Sequence, residues 1–205
     1  MPTIDYYMTC ISPWTYLGHR PAQQVAARHG ARLVVKPVNL GEMFKVSGQV
    51  ALGERRVVRQ RYRFIELQRS AEMRGRKHNP KPKFFPVNPT LADHTVIAIL
   101  RSRRDPMAYI DSVFSAVWAE EKDISDEPTL ASLLTEAGFD AAAVLTMAKE
   151  PATAEIRARN TQDAVDVDAT GVPSYVLNGE PFWGQDRIDL LDRALSSGRA
   201  PFKAL

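Results

Sequence analysis

The chain has 205 residues, 44% of them hydrophobic and 25% charged, with a formal net charge of +3. That is enough apolar material for one globular unit, or for a domain with a large insertion, and every apolar stretch is broken by charge too soon to cross a bilayer. One cysteine, Cys10, excludes an internal disulfide and any multi-cysteine metal site, and the four histidines lack metal-ligand spacing, so no metal is expected.

Met1 to Asp5 lacks the basic start and long apolar run of a secretory signal, so the expected location is the cytoplasm. Thr3 to Met8 alternates Ile4 and Tyr6 against Asp5 and Tyr7 and predicts a strand. Ser12-Pro13 has the form of a helix start, and apolar spacing carries that helix to a stop at Gly30. Arg32 to Val38 predicts a second strand, parallel to the first through the crossover helix. Val57 to Met73 predicts an amphipathic, partly exposed helix, and the prolines between Asn79 and Pro89 require a non-helical crossing. Helices are predicted over Leu91–Arg101, Met107–Glu121, Thr129–Ala137 and Ala141–Asn160. Strands return at Pro173–Leu177 and Pro181–Trp183, flanking the hairpin signal Asn178-Gly179, and Arg187–Leu195 closes the chain as a helix begun by Asp186. The order is βαβ, a helical block, then ββα. It implies an α/β, thioredoxin-like fold, residues 1–38 and 168–205, with an all-helical insertion over residues 39–167.

Eleven basic residues crowd between Arg55 and Lys83. They suit nucleic acid, a solvated helix face followed by a basic loop, or a local positive field that attracts small carboxylates. The second and third readings are compatible, and no nucleic-acid or membrane partner is expected.

Three short segments can carry chemistry. Ser12-Pro13-Trp14-Thr15 stands at the strand–helix junction, where a redox thioredoxin relative has C-x-x-C. A helix N-terminus offers unpaired N–H groups and the positive end of a dipole, so it stabilises an anion. Ser12 has no local base to make it a nucleophile, but its hydroxyl can donate to a thiolate carried by a ligand; by itself it is also an ordinary helix cap. Thr170-Gly171-Val172-Pro173-Ser174 precedes the third strand. A cis Pro173 there would turn the backbone of Val172 toward an extended peptide, whereas a loop proline at a strand entry needs no such role. Asp186 in Phe182-Trp183-Gly184-Gln185-Asp186-Arg187 is either a helix cap or a partner for an ammonium group. Cys10, two residues before Ser12, reads as a buried, inert thiol.

Taken together, Ser12-Pro13-Trp14-Thr15-Tyr16-Leu17, Asn39-Leu40-Gly41, Phe85-Pro86-Val87-Asn88, Gly171-Val172-Pro173-Ser174-Tyr175 and Phe182 to Arg187 resemble the 2-hydroxychromene-2-carboxylate isomerase family. That family belongs to the DsbA-like branch of the thioredoxin superfamily and is close to kappa-class glutathione transferases. The resemblance implies glutathione as cofactor and a small aromatic carboxylate, a 2-oxo acid of aromatic catabolism, as substrate. It implies a cis–trans isomerisation by reversible thiolate addition, and a homodimer. It gives Ser12 the glutathione sulfur, Val172 and Pro173 the cysteinyl backbone, and Gln185 with Asp186 the γ-glutamyl end. The family's lysine maps to Lys45, with Lys36 nearby; its asparagine has no clear counterpart, since Asn39 comes early and Gln49 is not an asparagine. A conjugating transferase would use the same site, while a thiol–disulfide oxidoreductase or a non-enzymatic binder fits less well.

Overall fold

The computed structural model describes residues 1–204, so of the predicted 168–205 segment only Leu205 lies outside it. Strand β1 (Thr3–Met8), helix α1 (Pro13–Arg28) and strand β2 (Arg32–Pro37) form the predicted βαβ unit, with β1 and β2 parallel from Thr3↔Arg32 to Met8↔Pro37. Seven helices follow: α2 (Leu40–Ser47), α3 (Val57–Met73), α4 (Thr90–Arg101), α5 (Met107–Trp118), α6 (Glu127–Glu136), α7 (Ala141–Ala148) and α8 (Pro151–Asp166). The chain then returns to the sheet through the hairpin β3 (Ser174–Leu177) and β4 (Glu180–Trp183) and ends in α9 (Ile188–Ser197). The sheet order is β2-β1-β3-β4, with β3 antiparallel to β1 and β4 antiparallel to β3. No described helix is long and apolar enough to cross a membrane.

Strand alternation sorts the core into two layers. Ile4, Tyr6 and Met8 of β1 and Tyr175 and Leu177 of β3 enter one large apolar cluster with residues of α1, α4 to α7 and α9. Tyr7 and Val176 point the other way, onto Met43 of α2 and Ala164 of α8. The first cluster therefore runs continuously from the sheet through α1 into the helical block.

The structure departs from the sequence reading in four places. The stretch Ala141–Asn160 is two helices, because Pro151 lacks an N–H and holds Glu150 extended at ψ 143°. The helix from Met107 ends at Trp118, where the Trp118 carbonyl accepts from the N–H of Asn79 at 2.7 Å. Leu40–Ser47, for which the sequence pattern predicts no element, is α2, capped by the Asn39 side chain on the N–H of Gly41. Residues 185–187 form a 3₁₀ turn before α9, and Asp186 does not cap that helix. Asn178 and Gly179 meet the hairpin expectation, with φ of 52° and 83°.

Two contacts fix α1 on the sheet. Gly18 lets the helix approach β3 and the 3₁₀ turn so closely that a β-carbon there would meet the Tyr175 hydroxyl at 2.7 Å and Cβ of Gln185 at 3.0 Å. His19 is fully buried between Tyr6, at 3.3 Å from Nδ1, and the Met107 carbonyl, at 3.2 Å from Nε2. The carbonyl can only accept, so Nε2 carries the proton and the ring is neutral.

Gly18→Ala should therefore cost roughly 1–3 kcal/mol by overpacking, read as a lower urea midpoint at unchanged slope. Burial pushes the His19 imidazole down from 6.5 to about 4. The unfolded chain then binds the extra proton between those values, so stability present above pH 6.5 is lost as pH falls toward 4, by ~3 kcal/mol for this residue. Urea unfolding at neutral and acidic pH should show a shallower loss in His19→Gln than in the native sequence.

Candidate functional site

One end of the sheet gathers the three segments that the sequence singles out. β1 leaves the sheet at Met8 and reaches Ser12 within one turn; β3 enters it from Pro173, beside the end of β1 through the pairing Tyr7↔Ser174. β4 leaves at the same end, where the N–H of Gly184 donates to the Pro173 carbonyl at 2.8 Å. Ser12, Val172-Pro173 and Gly184-Gln185-Asp186 are thus brought to one edge by strand pairing alone.

Ser12 caps α1. Its Oγ accepts from the N–H of Thr15 at 3.2 Å, and its N–H donates to the Thr9 carbonyl at 3.1 Å. Pro13 fills the first helical position, where an N–H would have no partner in the helix. The hydroxyl hydrogen of Ser12 and the N–H of Trp14 have no acceptor among the described residues. Ser12 is only 4% exposed. Two donors therefore stand without an acceptor at the positive end of a sixteen-residue helix. The Val172–Pro173 bond is cis, as expected, and neither the N–H nor the C=O of Val172 has a protein partner among the described residues. An extended peptide passing the helix end would find a free donor and a free acceptor there.

The remaining predicted residues divide. Asp186 is exposed and paired with Arg187, a surface contact that a ligand ammonium can replace at little cost. Gln185 faces inward and is buried: its amide donates to Ser70 at 3.1 Å and accepts from Arg74 at 3.2 Å. With Arg74 also on its backbone carbonyl at 3.0 Å, Gln185 docks α3 against the 3₁₀ turn, and each of its amide atoms already has one protein partner. Lys45 lies on the outside of α2, 71% exposed, in an i,i+3 pair with Glu42, and no contact ties it to Ser12. Lys36 is held by Asp5, Tyr7 and Asp163. Gln49, by contrast, donates to the Thr170 carbonyl at 2.8 Å and so braces the segment that leads into Val172.

Sequence reasoning missed the group beneath the site. Asp93 of α4 is fully buried; it accepts from Thr9 Oγ1 at 2.9 Å, from the N–H of Cys10 at 2.8 Å and from Arg157 of α8 at 2.8 Å. Burial pushes its carboxyl up, against the opposing pull of Arg157, the Cys10 N–H and Thr9. An aspartate inside the apolar run Leu91-Ala92-Asp93-His94-Thr95-Val96-Ile97 was the available signal, but its partners lie 64 to 84 residues away. Cys10 itself is completely buried, and burial with the neighbouring Asp93 raises its thiol well above 9. It has none of the exposure or acidity that thiol exchange requires.

A model of the DSBA-like thioredoxin domain matches residues 3–196. The chain is 27% identical over 196 residues to a 2-hydroxychromene-2-carboxylate isomerase of Pseudomonas putida, covering 94% of this chain and 93% of the relative. A solved structure of 2-hydroxychromene-2-carboxylate isomerase superposes with a TM-score of 0.78 at 26% identity, covering 95% of both chains. A probable DsbA oxidoreductase from Streptomyces coelicolor superposes with a TM-score of 0.77 at 20% identity, covering all of this chain and 94% of the other, a likeness of fold.

Asp93→Asn leaves the buried Arg157 without a counter-charge and should cost ~3–5 kcal/mol, measured by urea unfolding. The double variant Asp93→Leu/Arg157→Met removes both charges together and should recover much of that loss.

Proposed function

This chain belongs to the DSBA-like thioredoxin domain family, and we propose that within it the protein is a glutathione-dependent cis–trans isomerase of the 2-hydroxychromene-2-carboxylate type, acting on aromatic 2-oxo acids. The observation that carries the reading is the pair of unspent donors, the Ser12 hydroxyl and the Trp14 N–H, at the N-terminus of α1, with the unpaired backbone of Val172 at the same end of the sheet. These groups fit a thiol-bearing peptide. The two donors suit a thiolate, the Val172 N–H and C=O suit the peptide backbone of its cysteinyl residue, and Asp186 suits an ammonium group.

Bound glutathione would supply the thiolate that adds reversibly to a conjugated alkene, which lets that bond rotate before elimination. The protein's own part is electrostatic and positional. The Ser12 O–H and the helix end stabilise negative charge on sulfur more than on its protonated form, which lowers the thiol pKa. Val172 and Pro173 fix the direction from which the sulfur points, and orientation of that kind lowers a barrier without any acid–base group. Ser12 does not attack substrate, because no base stands next to it to take its proton. Relatives named as isomerases support this reading over a thiol–disulfide one. So does the inert Cys10, since dithiol chemistry needs an accessible thiolate.

Titration with glutathione at neutral pH, followed by thiolate absorbance, should show ligand-dependent thiolate in the native sequence. Ser12→Ala should weaken it by roughly tenfold, the scale of one hydrogen bond to a charged group. Absence of binding at millimolar glutathione would sink the proposal. With an isomerisable substrate the total thiol should stay constant through turnover; stoichiometric loss of thiol would make the protein a conjugating transferase instead.

A further inference from the structure

Four of the eleven cations of the basic segment have a hydrogen-bond or ion-pair partner among the described residues, Arg55 donating to the Val50 carbonyl at 3.0 Å. Arg69 pairs with Glu66, Arg74 holds Gln185, and Arg76 binds Asp111 at 2.9 Å with its guanidinium 4.2 Å from the centre of the Tyr16 ring. Of the seven without such a partner, Arg63 of α3 alone is buried. It is only 9% exposed, yet among the described residues it makes no ion pair and no hydrogen bond. Its guanidinium lies instead 5.6 Å from the ring of Phe85 and 6.0 Å from that of Phe64. His78 stands beside it, with both ring nitrogens sealed from solvent and without a partner. The His78 imidazole stacks on Trp118 at 5.4 Å, and Phe85 leans on the same indole at 4.8 Å.

Arg63 is a largely buried residue without a counter-ion, and the unpartnered His78 imidazole lies within the field of its charge. Burial and Arg55 lower Arg63 to about 10, which still leaves it charged at neutral pH. Burial and the Arg63 charge lower His78 to about 4, so its ring is neutral and has one N–H to donate. The charged groups acting on this pair are themselves cationic, which leaves the site with a net positive field and no internal anion. Flat apolar walls from Phe85 and Phe64 sit against the guanidinium. The residue preceding His78 is fastened to the first turn of α1, because the Tyr16 hydroxyl donates to the Lys77 carbonyl at 2.6 Å. Tyr16 follows Ser12 by one helical turn.

We propose that Arg63, walled by Phe85 and Phe64, forms a carboxylate-binding subsite for an aromatic acid, and that it is the residue that selects acids over neutral analogues. The planar guanidinium fork matches a carboxylate, and the aromatic rings take the arene. The role assigned to the bound acid, as substrate, rests on the isomerase reading above; the subsite itself rests on the partnerless Arg63 guanidinium and the rings against it. Glutathione also carries carboxylates, so the two ligands are tested separately.

The test is calorimetric titration of the full chain with benzoylformate, an aromatic 2-oxo acid without an alkene, with its uncharged amide, and with glutathione. Benzoylformate should bind about tenfold more tightly than the amide, the scale of a charge-assisted, bidentate contact. Arg63→Met, which keeps the stem and removes the charge, should abolish that preference and leave glutathione affinity unchanged; Arg63→Lys should restore part of it. Equal binding of acid and amide by the native protein overturns the proposal, and that comparison needs no variant to fold. So does an Arg63→Met variant that loses glutathione affinity and keeps its preference for the acid, because the subsite would then belong to glutathione. Arg63-dependent binding of benzoylformate by a protein that binds no glutathione would uphold the subsite and defeat the isomerase reading.

Discussion

Between the end of β1 at Met8 and the start of α1 at Pro13 the chain must turn a strand into a helix, and the carboxylate of Asp93 takes hydrogen bonds from both Thr9 and Cys10 of that turn. Arg157 closes the arrangement from α8, so one buried charge pair joins the edge of the sheet that leads to Ser12 to two helices of the central block. A buried ion pair is weak support for stability as such, because desolvation offsets most of its attraction. Its effect here is geometric. It sets where α1 begins, and so where the Ser12 hydroxyl and the Trp14 N–H point.

The same division of labour recurs around the site. Groups that face the helix end are left unspent, while the groups behind them are fully used. Gln185 has both amide atoms engaged, Tyr175 donates to the Gly18 carbonyl at 3.3 Å, and Gln49 braces Thr170. Rigid support of this kind holds donors in place before a ligand arrives, which reduces the reorganisation needed on binding. The basic segment follows the pattern too. Arg74 and Arg76 are structural, and Arg63 is the buried cation of the segment without a counter-ion.

The fold was largely legible because its signals are local. Ser12-Pro13 marks a helix start, Asn178-Gly179 a hairpin, and alternation in Thr3–Met8 a strand with two distinct faces. The placement of Ser12 and Val172-Pro173 at one edge followed from element order. What was not legible depends on long-range pairing. Asp93 reads as one polar residue in an apolar helix until Arg157 and Thr9 are seen against it. Gln185 and Asp186 are adjacent, yet one is buried and the other exposed, and no local pattern separates them. Lys45 matches the family's lysine by resemblance alone, in a segment without an anchor, and α2 presents it to solvent. Arg63 was one of eleven similar residues; only its burial sets it apart.

Cys10 is the chain's sole sulfhydryl, and it sits two residues from the helix end that favours thiolates. Exposed there, it would be trapped as a mixed disulfide by any small disulfide reaching the site, or oxidised by peroxide. Turned inward behind Asp93 and held protonated, it can enter neither reaction. The helix end is thus insulated from the redox poise of its surroundings: a shift toward oxidising conditions changes what arrives at the site but leaves the protein's own atoms there unmodified.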